Sequence, residues 1–425
     1  MSNECTLGEI VYPVADKVEG VKDPSLNYVG LEHLCSGSGY LKGCAASSTS
    51  ISTNSIFRAG DVIFGKLRPN LRKSVLAPFD GYCSTDLLVL RAVEGVLPEY
   101  AARVFQSEHV FRYAEKTAVG TKMPRTSWAQ LKKLNIFVPH FSEQKTIAKI
   151  LDILDTQIRQ TEAIIAKLQQ VKQGLLHDLL TRGIDASGQL RPPREQAPEL
   201  YKDSPLGWIP KDWGTPTIND VVESLSDGPF GSNLKTEHYV ELEGVRVVRL
   251  QNISVGKYDD TDRAFISFKH ADSFFRNKVI PGDLLVASLG DQNHPVGRAC
   301  LYPKRLPNAI NKADCFRVRA KEKCHNAFLM LALNGETSRK QVRGYEQGVT
   351  LKRINTSNLR KVVIPLPLKE EQLVIECRYR SIENKLAYFE GEVLKLKKQK
   401  AGLMDDLLTG RVRVTELIEQ EKQAS

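Results

Sequence analysis

The stretch from Gly120 to Thr181 recurs from Gly348 to Thr409, at a constant offset of 228 positions and without a gap. About a third of the paired positions are identical, among them Gly120/Gly348, Arg125/Arg353, Leu131/Leu359, Pro139/Pro367, Glu143/Glu371, Gln144/Gln372 and the closing Asp-Leu-Leu-Thr at 178–181 and 406–409. Solenoid repeats run at roughly 20–50 residues, so this is not one of them. The chain consists of two similar halves, each ending in the same structural device. A chain of this kind can meet a target that also has two halves.

With 425 residues the chain is too long for one ordinary core, and two or three domains are expected. An apolar share of 41% and a charged share of 26% are those of a soluble globular protein. The opening MSNECTLGEI shows no signal peptide, and no apolar run is long enough for a membrane span. The eight cysteines are scattered without a CxxC pair, which reads as reduced cytosolic thiols. A net charge of +10 favours an anionic partner, nucleic acid first.

Each repeat contains one long helix. Ile147, Leu151, Leu154, Ile158, Thr161, Ile165, Leu168, Lys172, Leu175 and Leu179 fall at alternating spacings of four and three. Adding 228 to each yields Ile375, Tyr379, Ile382, Leu386, Phe389, Val393, Leu396, Lys400, Leu403 and Leu407. That rhythm is a coiled-coil seam. Helices of about 40 residues span about 60 Å, and one apolar stripe of that length is best buried against the other copy. Pro139 and Pro367 precede the helices; Gly183 and Gly410 follow them as candidate left-handed caps.

The expected layout is an α+β domain over 1–141, a helix over 142–182, a Pro- and charge-rich linker over 183–205, a second α+β domain over 206–369, a helix over 370–412 and a polar, partly frayed tail over 413–425. Both domains open a strand with Gly-Asp, at Gly60-Asp61 and Gly282-Asp283, and otherwise diverge far more than the helices.

No catalytic motif stands out: no phosphate loop, no HExxH, no GxSxG and no methyltransferase cofactor fingerprint. No catalytic residue and no metal ligand is assigned. What recurs is polar and basic. The first half offers Lys66, Arg68, Asn70, Arg72 and Lys73 in FGKLRPNLRK, then Lys122 and Arg125 in GTKMPR. The second offers Ser232, Asn233 and Lys235 in GPFGSNLKT, Arg249, Gln251 and Asn252 in RLQNIS, then Lys352 and Arg353 in GVTLKR. Lys and Arg neutralise phosphates, while Arg, Asn and Gln pair with base edges. Taken singly, each reads better as a solvated surface charge or a turn residue. Recurrence at the same place in both halves favours binding.

On these residues the chain resembles a DNA specificity (S) subunit of a type I restriction-modification system, the HsdS family. The resemblance rests on SWAQLKKLNIFVPHFSEQ (127–144) and SNLRKVVIPLPLKEEQ (357–372), each ending in Pro-x-x-x-Glu-Gln, and on the helix endings GLLHDLLTRG and GLMDDLLTGR. It covers nearly the whole chain in the order domain, helix, domain, helix. It implies two α+β target-recognition domains, each followed by a long helix, with the two helices paired as an antiparallel coiled coil. Each domain would read one half of a bipartite DNA site, and the helices would act as a ruler for the spacer. It further implies a non-catalytic subunit docking two methyltransferase (M) subunits and restriction/translocase (R) subunits in a bacterial or archaeal cytoplasm. S-adenosylmethionine, ATP and magnesium would sit on those partners. VASLGDQNHPVGR (286–298) departs from FGKLRPNLRK, which fits a different half-site.

Two other readings compete. A coiled-coil assembly adaptor without sequence-specific DNA binding leaves the recurring basic loops unexplained. A stand-alone nuclease or methyltransferase lacks the expected motifs.

Overall fold

A computed structural model describes residues 4–19, 23–229, 234–241 and 243–423. The chain divides into two compact units, Met1–Ile164 with Phe389–Ser425, and Ile165–Tyr388. Each unit therefore holds one α+β domain, the amino-terminal stretch of one long helix and the carboxy-terminal stretch of the other.

In the first unit, the run Val62–Gly65 is buried at every position, as befits a strand covered on both faces. It lies inside a four-stranded antiparallel sheet ordered Val11–Pro13, Leu87–Ala92, Val62–Gly65, Ser74–Leu76. A five-stranded sheet runs Lys17–Val18, Asn54–Phe57, Gly81–Ser84, Asn27–Val29, Ala45–Ala46, with one parallel pairing, Asn27–Val29 on Gly81–Ser84. The second unit repeats this plan. Its four-stranded sheet runs Val222–Ser226, Cys315–Ala320, Leu284–Ala287, Ala299–Leu301. Its five-stranded sheet runs Lys278–Val279, Ala309–Asn311, Val245–Val248, Phe265–Ile266, Tyr239–Val240, again with one parallel pair, Val245–Val248 on Ala309–Asn311. The domains that look so different in sequence thus share the order of the four-stranded sheet and of four strands of the five-stranded one; the remaining strand lies at opposite edges, Lys17–Val18 beside Asn54–Phe57 in the first unit and Tyr239–Val240 beside Phe265–Ile266 in the second.

The long helices span Phe141–Thr181 and Lys369–Leu408. All ten seam positions of each helix are buried or half-buried. Within each unit the two helical stretches run antiparallel, and the seam lysines show the register. In the second unit Lys172 Nζ meets Glu383 at 2.8 Å; in the first, Lys400 Nζ meets Asp155 at 2.5 Å. Lysines and acids are both 228 apart, so the two pairs are copies of one interaction. Burial pushes Lys172 down, but Glu383 and the Tyr379 hydroxyl outweigh it and leave the ammonium raised. At Lys400 burial wins over Asp155, and the ammonium is lowered. Arg103 also reaches Asp155 and draws on the same carboxylate.

Two segments differ from their compositional reading. The 183–205 stretch is packed: Ile184, Ala197 and Tyr201 are buried, and the Tyr201 hydroxyl donates to Pro192 O at 2.5 Å. The tail forms a helix over Thr415–Gln423, preceded by buried Val414. Among the described residues the cysteines are free, and no helix is long and apolar enough to cross a membrane.

Candidate nucleic-acid interface

Both Gly-Asp turns are clamped alike. Asp61 accepts from Arg58 N at 2.8 Å and receives Arg91 through two guanidinium contacts of 2.7 and 2.8 Å. Asp283 accepts from Ile280 N at 2.9 Å and receives Arg319 at 2.8 and 2.9 Å. Gly60 and Gly282 supply the positive φ, 88° and 90°, that the turns require. The hydrogen bonds to the buried carboxylates raise both arginines and keep them charged. This bidentate pairing fixes where the next strand begins.

The strand Val62–Gly65 delivers the basic turn. Lys66 O accepts from Thr126 N at 3.0 Å, and Arg68 N donates to Pro124 O at 2.7 Å, so the two basic loops of the first half are tied edge to edge. Arg68 and Arg72 have φ of 50° and 51°, on either side of the turn Pro69–Leu71. Left-handed backbone at non-glycine residues costs about 1 kcal/mol or more each and gathers at functional sites. The Val119/Arg125 pairing closes the second loop, with Gly120 at φ 108°, and Arg125 Nε donates to Asp86 Oδ1 at 3.2 Å.

The predicted residues divide by what their side chains already do. Arg68, Asn70 and Lys122 are exposed, with no polar side-chain partner among the described residues, and Lys66 is half-buried beside them. Arg72 is held by Glu108, and Lys73 donates to Leu31 O at 2.7 Å, so both brace the fold.

The second unit repeats the arrangement. Ile354 N donates to Ser288 O at 2.9 Å, and Gln347 pairs with Arg353 across a loop whose Gly348 has φ 102°. Arg353 reaches Asp314 at 2.5 Å, the counterpart of Arg125 with Asp86. Lys352 lies 3.2 Å from Glu346, and Lys235 3.5 Å from Glu237. Arg249 pairs with Asp262, which also accepts from Gln251 Nε2 at 2.5 Å. Asn252 is fully buried: its Oδ1 accepts from Arg249 N at 2.9 Å and its amide donates to Asp259 O and Asp262 O at 2.9 and 2.8 Å. It organises the turn and has no surface to offer a base. Ser232 and Asn233 lie outside the described residues. Asp227, at the base of that loop, is pushed up to about 6 by burial, and it accepts from Asp314 N at 3.0 Å.

The Glu-Gln signature has a mechanical meaning. Gln144 Oε1 accepts from Leu97 N at 2.9 Å and its amide donates to Pro139 O at 3.1 Å; Gln372 does the same with His325 N at 2.9 Å and Pro367 O at 3.0 Å. Each glutamine pins a helix start to its own domain. Each glutamate catches the chain leaving the other helix. Glu143 accepts from Arg413 at 2.6 and 3.0 Å and from Thr415 at 3.0 Å. Glu371 accepts from Arg191 at 2.6 and 3.1 Å, Trp213 Nε1 at 3.0 Å and Ile184 N at 2.7 Å.

The Arg413 guanidinium, more than burial opposes it, holds Glu143 below the usual carboxylate range. A depressed folded value contributes stability above the unfolded value of about 4.3 and loses it as pH falls through the folded one. Glu143→Gln is expected to cost about 1–2 kcal/mol near neutrality, since Arg413 is half exposed, and to flatten the acid limb of stability below about pH 4.3. Urea unfolding from pH 3 to 7 checks this; parallel acid limbs for both proteins would contradict it.

Among the described residues, no group of three or more His, Cys, Asp or Glu side chains is placed to hold a metal ion. The model of the type I restriction modification DNA specificity domain matches residues 42–170 and 210–387. The chain is 28% identical over 372 residues to the putative type I restriction enzyme MjaX specificity subunit of Methanocaldococcus jannaschii, covering 84% of this chain and 79% of that one. It is 27% identical over 311 residues to the MjaVIII specificity subunit of the same organism, covering 70% and 67%. Its fold is similar to that of a chain solved in work on complex assembly and conformational transition of the type I R-M system (TM-score 0.59, 19% identity, 96% and 98% covered). It is also similar to the type I restriction-modification S subunit from M. genitalium (TM-score 0.55, 13% identity, 95% of each chain).

Proposed function

Since this chain belongs to the type I restriction modification DNA specificity family, it is a DNA sequence-recognition subunit, and we propose that each unit reads one half of a bipartite site. The observation carrying this is that the family model matches twice, once over each α+β domain. Both domains also present the same pair of tied loops, with Arg125 and Arg353 at equivalent posts. In this reading Arg68, Asn70, Lys122 and Lys352 approach the duplex, the cations on phosphates and the amide on a base edge.

The chain does no chemistry itself in this account. It positions two methyltransferase subunits, which bind S-adenosylmethionine and modify adenine, and restriction subunits that use ATP and magnesium, in the cytoplasm. Off-seam apolar side chains on the long helices, Ile153, Ile164 and Val171 on one and Leu373, Val374 and Leu394 on the other, are exposed and suit the docking of such partners. The paired helices set the spacer length between half-sites.

Binding to a duplex carrying the site should weaken with salt by about 0.9 log units per log unit for each phosphate neutralised. Lys122→Ala should reduce that slope by about one while leaving the preferred sequence unchanged. Fluorescence anisotropy from 50 to 300 mM salt reads both; a flat dependence for the unaltered chain would overturn the proposal.

A further inference from the structure

Within VASLGDQNHPVGR (286–298) the sheet registers single out the turn that stands where the basic turn of the first half stands. In the first unit, strand Val62–Gly65 runs into Leu67, which pairs with Arg125 and leads to the exposed turn with Arg68 and Asn70. In the second, strand Leu284–Ala287 runs into Leu289, which pairs with Arg353 and leads to Gly290–Pro295. The segment GDQNHP therefore occupies the post that RPN holds in the first unit, although the two share no pattern.

That segment is built as a rigid tip. Asp291 N donates to His294 O at 2.9 Å, and Asp291 Oδ1 accepts from Asn293 N and His294 N at 2.8 and 2.7 Å. The acid is thus spent on its own turn. Gln292 and Asn293 are left at the apex, both exposed, with no side-chain partner among the described residues.

Beneath the tip lies Arg298, 4% exposed and without a carboxylate partner among the described residues. Its guanidinium donates to main-chain oxygens: Leu289 O at 2.8 Å, His294 O and Pro295 O at 3.3 Å, Ile253 O at 2.6 Å and Leu250 O at 3.1 Å. One buried cation thereby locks the tip to the turn carrying Arg249 and Gln251. Holding free amides on a preorganised turn cuts the ordering cost of binding.

We propose that Gln292 and Asn293 are specificity-determining residues of the second domain, reading adenine edges in the major groove of its half-site. The side-chain amide of either residue matches adenine N6 and N7 with one donor and one acceptor. This assignment rests on the DNA-reading function proposed for the chain.

The test uses the full chain with its methyltransferase partner in a methylation-free bacterial host, mapping N6-methyladenine for the unaltered chain, Q292A, N293A and the double variant. The expected result is a two-part motif in which one half-site loses about tenfold to a hundredfold discrimination at one or two A·T positions, while the other half-site and the spacer persist. Competition binding with duplexes altered at those positions should show the same loss. An unchanged motif with the double variant would overturn the assignment and leave the function standing. Absence of any two-part motif with the unaltered chain would overturn the function, and the assignment with it.

Discussion

Replacing Glu371 with alanine is expected to destabilise the Ile165–Tyr388 unit by about 3–5 kcal/mol. Its carboxylate is the meeting point of Arg191, Trp213 and the Ile184 amide. Arg191 and Glu371 are about one-tenth exposed, so truncation strands a desolvated guanidinium whose remaining carboxylate is half-exposed Asp212, at 3.1 Å. Breaking one partner of such a pair costs far more than the net worth of the pair. Removing both charges, as in Arg191→Met with Glu371→Ala, should recover part of the loss. At roughly 2–4 °C per kcal/mol for a unit of this size, the single variant should melt about 10 °C lower. Trp208 and Trp213 lie in this unit and report its unfolding by fluorescence. A shift below about 1 kcal/mol would show that this carboxylate does not hold the unit together.

Inserting four residues after Leu168 is expected to change the spacer length or abolish DNA binding, while the half-site sequences persist. Four residues advance a helix by about 6 Å and rotate it about 40° beyond one full turn. The insertion breaks the alternation of four and three as a stutter, and it displaces Lys172, Leu175 and Leu179 from their seam. Glu383 loses Lys172, and buried Leu179 leaves the cluster it shares with Leu333 and Tyr379. The tied loops of both domains are untouched by this change, so what each domain reads should survive wherever binding does. If the half-sites themselves changed, the division between reading loops and spacing helices would be wrong.

The helices were legible because a seam is a local periodicity, and ten positions in each copy repeat it. The rhythm includes Lys172 and Lys400 at the same seam position of each copy. It does not show their partners Glu383 and Asp155, because only the antiparallel register pairs them. The domains were legible as α+β but not as copies. Their paired strands are two to six residues long, and such short buried runs tolerate many side chains on the same topology. The 183–205 segment misled because composition reports local flexibility, whereas Arg191 acts on Glu371, 180 positions away.

Among the site residues, type alone could not separate readers from braces. Asn252 and Asn70 are both polar residues at the end of a basic strand or turn, yet one is fully buried and the other exposed. Arg72 and Arg68 sit four apart, and among the described residues only Arg72 has an acid, Glu108, within reach. The sequence places VASLGDQNHPVGR opposite FGKLRPNLRK, but it does not single out Gln292 and Asn293 within that segment, because their position at the apex depends on the pairing of Leu289 with Arg353 and on the turn that Asp291 closes.

The most direct measurement is a methylome. The full chain would be expressed with its methyltransferase partner in a methylation-free bacterial host, and N6-methyladenine mapped across the genome with and without this chain. A single gapped, two-part motif that vanishes when the chain is omitted is expected. A functional methyltransferase complex that contains the chain and yet methylates no such motif would contradict it.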